Sequence, residues 1–283
     1  MRWADAATPL GVLLALGLAA APAPARALDL APQPVTASLW SEFDGIAPGR
    51  PLTVGLHLEH APGWHTYWLV PGDAGLPTSV TWRLPAGVRA GPMQWPVPSR
   101  LPTGPLVDYG YQDDTLLLTR LQTAKGLSPG RELHIEARAQ WLMCRDVCIP
   151  GSQDLELTLP VREVSQLHPT AHAPEFDRAR ARIPPDLKLA AAKATRNGTR
   201  LTLAFAAPAA GVPHHLEFFP LEPSRIEPSA PQTLQVNGKT VLLELTAAQP
   251  VGTKFRTLRG VLVADGGPDE GGWFGAINVP LTK

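Results

Sequence analysis

Apolar and polar residues alternate with a period of two over much of the chain. In "PLTVGLHLEH" the side chains of Leu52, Val54, Leu56 and Leu58 fall on one side, and in "ELHIEARAQW" those of Leu133, Ile135, Ala137, Ala139 and Trp141 do the same. This rhythm predicts half-buried β-strands. "TLLLTRL" from Thr115, "DLELTLPV" from Asp154 and "SVTWRLP" from Ser79 read as further strands. Helical spacing is nearly absent. Its clearest instance is "PEFDRARARI", Pro174 to Ile183, with proline at the start and the pair Pro184, Pro185 as a stop. This segment lies in a polar, proline-bearing connection, a composition that suggests few contacts across it. Beyond it the strand rhythm resumes in "TRLTLAFA" from Thr199, "HLEFFPL" from His215, "TLQVNGKTVLLEL" from Thr233, "RGVLVAD" from Arg259 and the closing "GWFGAINVPL". Asn237 and Gly238 between two apolar runs are a hairpin signal. The pattern predicts an all-β protein of two β-sandwich domains, 28–164 and a smaller one over 186–283, joined by a linker with a short helix over 165–185. No sequence repeat points to a solenoid.

The first residues follow another pattern. Arg2 precedes an apolar run from Leu10 to Ala21, and "APAPARA" then ends in Ala25, Arg26 and Ala27. This is the layout of a cleaved secretory signal peptide over 1–27. The apolar run falls short of the roughly 20 residues that a bilayer span requires. No later segment is long and apolar enough to cross a membrane, so the expected product is a soluble, exported protein in a compartment where disulfides persist.

Composition changes this picture little. The hydrophobic share of 44% is enough for real cores, and the 32 prolines and 25 glycines are scattered between apolar stretches, as suits short strands joined by turns. Lys plus Arg equals Asp plus Glu at 25 each, with no run of one sign. Nothing there suggests a nucleic acid or an anionic membrane as partner.

The two cysteines change it most. Cys144 and Cys148 stand in "WLMCRDVCIPG", between one alternating strand and the next, and so at the turn of a hairpin. Five extended residues at about 3.3 Å each would hold their ends more than 10 Å apart, whereas a disulfide needs Cα atoms about 4.4 to 6.8 Å apart. Only a tight reversal lets them bond. Three uses of the pair are open: a structural staple, a redox pair that exchanges with other thiols, or a soft-metal site for copper(I). As a staple so short a ring contributes only about 2 kcal/mol, against about 4.7 for a ring of a hundred residues. Other candidates lie in the same half. Tyr67, Tyr109 and Tyr111 are all the tyrosines of the chain, and they are either core aromatics or a wall around the disulfide. Asp108 and Asp113 are candidates to tune a thiol or take a proton, and His57, His60 and His65 to join a metal site with the thiols. His57 and His60 fall on opposite faces of their strand. No nucleotide loop, paired-carboxylate site or serine nucleophile motif has its required context.

The runs "WHTYWLVPGDAGLPT", "WRLPAGV", "MQWPVPSR", "LVDYGYQDD" and "WLMCRDVCIP", in this order, resemble the N-terminal periplasmic domain of the DsbD family of thiol:disulfide interchange proteins, and most of all its suppressor-of-copper-sensitivity branch. The likeness covers most of Leu28 to Val164, and "LEFFPLEPSRIEPSAPQ" resembles the further β domain of that branch. It implies a periplasmic protein with an immunoglobulin-like first domain that carries a redox cysteine pair and works as a protein-disulfide reductase or electron relay, serving cytochrome c maturation or copper tolerance. It implies no cofactor. The implied catalytic residues are Cys144 and Cys148, with Cys148 the attacker. Tyr67, Asp108, Tyr109 and Tyr111 are the cap or wall candidates. The implied partners are thioredoxin-like periplasmic proteins. The family's membrane and thioredoxin-like domains have no counterpart in this sequence, so a separate membrane electron-transfer protein is a further expected partner. The segment "RLPTGPLVDYGY" lacks the phenylalanine of the family's aromatic cap. The alternative function is a non-enzymatic copper(I)-binding module built on the same two cysteines.

Overall fold

The computed structural model describes residues 33–249 and 255–282; the expected signal peptide lies outside the described residues. About 55% of the described residues are strand and 6% helix, which makes the protein all-β. The first half contributes β1 (Val35–Ser41), β2 (Leu52–His60), β3 (His65–Gly72), β4 (Ser79–Arg83), β5 (Val88–Gln94), β6 (Ser99–Thr103), β7 (Leu106–Tyr111), β8 (Thr115–Thr123), β9 (Glu132–Cys144) and β10 (Cys148–Pro160). The helix α1 (Ala173–Ala181) follows. The second half contributes β11 (Lys193–Asn197), β12 (Arg200–Ala206), β13 (Leu216–Pro220), β14 (Thr233–Asn237), β15 (Thr240–Thr246), β16 (Thr257–Ala264) and β17 (Phe274–Thr282).

Two antiparallel sheets make an immunoglobulin-like sandwich in the first half. One runs β1-β2-β8-β5; the other runs β10-β9-β3-β7-β6, with β4 also paired to β9. The alternation in the sequence sets which face is inside. Leu52, Val54, Leu56 and Leu58 of β2 meet Leu133, Ile135, Ala137, Ala139 and Trp141 of β9 in one core. β8 departs from alternation, with Thr115 to Thr119 all buried. Its inner face carries Leu117 and Leu121, while Leu116 and Leu118 are covered from outside by Phe176 and Ala179 of α1. The helix is where its proline and periodicity place it, and it is docked on the sandwich.

The second half follows the strand path β13-β16-β17-β11-β12-β15-β14 around a core that includes Leu203, Phe205, Phe218, Val241, Leu243, Leu262 and Ile277. The predicted hairpin joins β14 to β15, with Gly238 at a φ of 62° that a left-handed turn position favours in glycine. The two halves touch. Phe219, Val261 and Val263 belong to the core of the first sandwich, and Arg100 donates a hydrogen bond to the carbonyl of Pro228 at 2.6 Å. The polar connection had suggested few contacts. It is the strands beyond it, apolar on both faces, that make them.

Candidate functional site

Cys144 ends β9 and Cys148 begins β10, so the two stand directly opposite each other in the hairpin. They form a disulfide with Cα atoms 4.2 Å apart, the tight reversal that the spacing requires. The two sulfurs differ in surroundings. On β9 the inward positions are Trp141 and Met143, so Cys144 lies on the outer face of the sheet, yet it is only 1% exposed. Cys148, with Arg145, Asp146 and Val147 of the loop, is exposed.

What covers Cys144 comes from β3 and β7. His65 is the register partner of Cys144, and Tyr67, two residues along, projects from the same face. The Tyr67 hydroxyl donates a hydrogen bond to Cys144 Sγ at 2.8 Å and lies 3.6 Å from Cys148 Sγ. Room for the ring is made by Gly75, at φ +94°: a Cβ there would lie 2.2 Å from Tyr67 Cε1. Burial, and after it the negative charge of Asp108, holds the Tyr67 hydroxyl well above its ordinary pKa. It therefore stays protonated, and it stays a donor.

Asp108 shares this face, because Gly110, two residues on, is the register partner of Tyr67. Its carboxylate is buried and accepts from Thr103 Oγ1 at 3.1 Å and from the Ala74 amide at 3.3 Å. His65 Nε2 lies 3.4 Å from Asp108 Oδ2, and the His65 ring stands edge-on to Tyr67 at 5.2 Å. A buried carboxylate is tolerated where such partners replace water. Here they also tie the loop after β3 to β7, with Asp73 accepting from the Val107 amide at 2.8 Å. Asp73, Ala74, Gly75 and Thr103 were not singled out in the sequence. Their only signal is the run of turn residues in "PGDAGLP" and the polar "PTG".

Tyr109 and Tyr111 face the other way. They alternate with Asp108 and Gly110 along β7 and lie in the core, where the Tyr111 hydroxyl donates to the Pro96 carbonyl at 2.7 Å. Three tyrosines that looked equivalent in the sequence thus divide, with Tyr67 alone touching sulfur. Arg145 is engaged by Asp146 at 3.0 Å and lies over the Trp64 ring at 5.3 Å. His57 stacks on Trp40 with ring centroids 3.9 Å apart, and its Nε2 lies 3.7 Å from Asp114 Oδ2. Asp113 sits in a cleft with His60 and Asp114. Among the described residues no group of three or more His, Cys, Asp and Glu side chains is arranged to hold a metal ion.

His60, bonded to Thr66 Oγ1 at 2.9 Å, is pushed down to about 4 by burial, against the opposing pull of Asp113 and Asp114. The unfolded chain binds the proton more readily than the folded one. Stability is therefore full above the ordinary value of 6.5 and declines as pH falls from there toward 4. A shift of this size corresponds to about 3 kcal/mol lost by pH 4. Denaturant unfolding at pH 7 and pH 4 should show the wild type losing more than His60→Gln; an equal loss in both would remove His60 from the account.

A β-sandwich with a hairpin disulfide on its outer face, one cysteine exposed and the other buried under a fixed donor, is built as a thiol:disulfide exchange module. Comparison with known proteins agrees. Residues 36–160 match the family described as "Thiol:disulfide interchange protein DsbD, N-terminal", so the first half is similar to that domain. No curated protein matches the chain. Among solved structures, the N-terminal periplasmic domain of ScsB from Proteus mirabilis is similar over 88% of this chain and 92% of its own, with a TM-score of 0.63 and 18% identity. This likeness shows the fold, and it extends over both halves. A form of BcpA, the major pilin subunit of Bacillus cereus, is also similar over 88% of this chain and 67% of its own, at 9% identity, but its TM-score of 0.27 carries no argument.

Proposed function

We propose that this protein is an exported, periplasmic protein-disulfide reductase or electron relay that exchanges electrons with thioredoxin-like proteins through Cys144 and Cys148. The observation that carries the reading is the asymmetry of the two sulfurs. Cys148 is the exposed residue of the oxidised pair and Cys144 the buried one, so the incoming thiolate attacks at Cys148 Sγ. Attack there forms a mixed disulfide, breaks the Cys144–Cys148 bond and expels Cys144 as a thiolate. That buried anion accepts the hydrogen bond which Tyr67 already directs at it. In the reverse direction the reduced protein uses the Cys148 thiolate on a client disulfide. Cys144 then attacks Cys148 Sγ, restores the ring and releases the client as a thiolate. Two electrons and two protons pass per cycle, and no cofactor is needed.

The electron supply is proposed to come from a separate membrane electron-transfer protein, and the processes served to be cytochrome c maturation or copper tolerance. The sequence boundaries 28–164, 165–185 and 186–283 stand as the proposed division of labour, with the chemistry in the first. Among the described residues no helix is long and apolar enough to cross a membrane.

The reading is tested by alkylation of the folded protein after mild reduction, followed residue by residue in a mass spectrometer. Cys148 should react first, with Cys144 slower by about ten-fold or more, because burial limits access to its thiolate. Two thiols that stay unreactive until the protein unfolds would return the pair to the role of a staple.

A further inference from the structure

The second half has no chemistry of its own in the reading above, yet it touches the strands that make the site. β13 and β16 are apolar on both faces. Phe218 and Leu262 lie in the core of the second half, whereas Phe219, Val261 and Val263 lie in the core of the first. Phe219 and Val261 are register partners, as are Glu217 and Val263. They present one continuous surface to the first sandwich.

This surface meets two particular residues. The Phe219 ring, fully buried, stands edge-on to Tyr109 at 5.1 Å and to Trp68 at 6.1 Å. Trp68 follows Tyr67 on β3, and Tyr109 follows Asp108 on β7. Successive side chains on a strand point to opposite faces, so Phe219 lies against the back of the two strands whose front carries Tyr67 and Asp108. Arg100, the register partner of Tyr109 on β6, closes the rim of this contact with its bond to the Pro228 carbonyl.

We propose that the second half is a positioning element for the disulfide site, in which Phe219, on Trp68 and Tyr109, fixes β3 and β7 so that the Tyr67 hydroxyl meets Cys144 Sγ. The inference rests on the reading of the pair as an exchange site. The physical reason lies in the front of the sheet. The hydrogen bond from Tyr67 to sulfur comes from a rigid ring on a strand whose register with β7 shifts between Tyr67 and Gly72. A strand with an irregular partner is free to roll about its axis unless its other face is packed, and a displacement of about 1 Å is enough to lose a directed hydrogen bond and up to a hundred-fold in rate. Phe219 supplies that packing at Trp68, the residue next to Tyr67. It makes Phe219 a positioning residue that acts through Trp68.

The test uses the full chain and four proteins: wild type, Phe219→Ala, Phe219→Leu and, as a control on the same strand facing the other core, Phe218→Leu. Two quantities are read: the rate of exchange with a reduced thioredoxin, and the pH at which the Cys144 thiol becomes alkylatable in each protein carrying Cys148→Ala. Phe219→Ala should slow exchange by about ten-fold and move Cys144 alkylation to higher pH, while far-ultraviolet circular dichroism and cooperative melting persist. Phe219→Leu should show a smaller shift of the same sign, and Phe218→Leu neither. In a Tyr67→Phe background Phe219→Ala should add nothing, since the hydroxyl that it positions is gone. A folded Phe219→Ala with the wild-type rate and alkylation profile overturns the proposal, and so does an effect that adds in full to that of Tyr67→Phe. If Phe219→Ala does not fold, Phe219→Leu decides by the same criteria. A wild type that does not exchange with thioredoxin refutes the function proposed above. The alkylation profile then still decides the positioning role.

Discussion

The variant Cys144→Ala should accumulate a reducible complex with a thioredoxin-like partner, and Cys148→Ala should accumulate none. Exchange runs through a mixed disulfide, which the second cysteine of the same chain resolves at high effective concentration. Cys144, 4.2 Å from Cys148 between Cα atoms, is placed for that step. Without it, the partner remains bound at Cys148. Without Cys148, the remaining thiol is 1% exposed and a protein disulfide has no line of approach to it. The expected difference is between most of the protein trapped and essentially none, read on a non-reducing gel with a partner whose own resolving cysteine is removed and whose remaining cysteine is first charged as a mixed disulfide with thionitrobenzoate, so that attack by the Cys148 thiolate forms the complex and releases the nitrothiolate. Both variants should fold, because loss of a five-residue ring lowers stability by about 2 kcal/mol. The reverse pattern would exchange the roles of the two residues and leave the redox reading standing; no complex from either variant would sink it.

How much of this was legible in the sequence depended on which faces of a strand are covered. β2, β9 and β12 could be read from their pattern. The strands that make the site could not. β3 is buried on both faces from His65 to Trp68, and β7 is buried from Asp108 to Tyr111. One face lies on the core and the other under the disulfide hairpin, so period two is lost at the place where function is built. Proline obscured β5 and β6, through Pro92 and Pro102. The tight hairpin followed from the strands on either side of the cysteines, whereas the choice between a disulfide and a thiolate metal site stayed open until the structure placed the two sulfurs in a bond. The partition of the tyrosines did not, because it depends on the register that sets Tyr67 opposite Gly110. Nor did the contact between the halves: Phe218 and Phe219 are adjacent letters that serve different cores.

The hydroxyl of Tyr67 should carry the largest rate effect outside the cysteines themselves. Tyr67→Phe keeps the ring in the space left by Gly75 and removes only the donor to Cys144 Sγ. In the disulfide that bond is a weak one to a neutral sulfur. When Cys144 leaves as a thiolate, the same geometry becomes a charge-assisted hydrogen bond to a buried anion, and bonds to charged groups contribute about 1.5 to 3 kcal/mol. The interaction is thus stronger as the S–S bond breaks than before, which is the condition for accelerating a step and not merely stabilising its reactant. Loss of the hydroxyl should slow exchange by about ten- to a hundred-fold and should raise the pKa of the Cys144 thiol in the reduced protein. Because Tyr67 is held above its ordinary pKa by burial and by Asp108, the wild-type hydroxyl should remain a donor across the neutral range. The slowing should therefore be the same at pH 6 and pH 8. Stopped-flow exchange with a reduced thioredoxin measures it directly, and a Tyr67→Phe protein that exchanges at the wild-type rate would show that the hydroxyl is only a packing contact of the oxidised form.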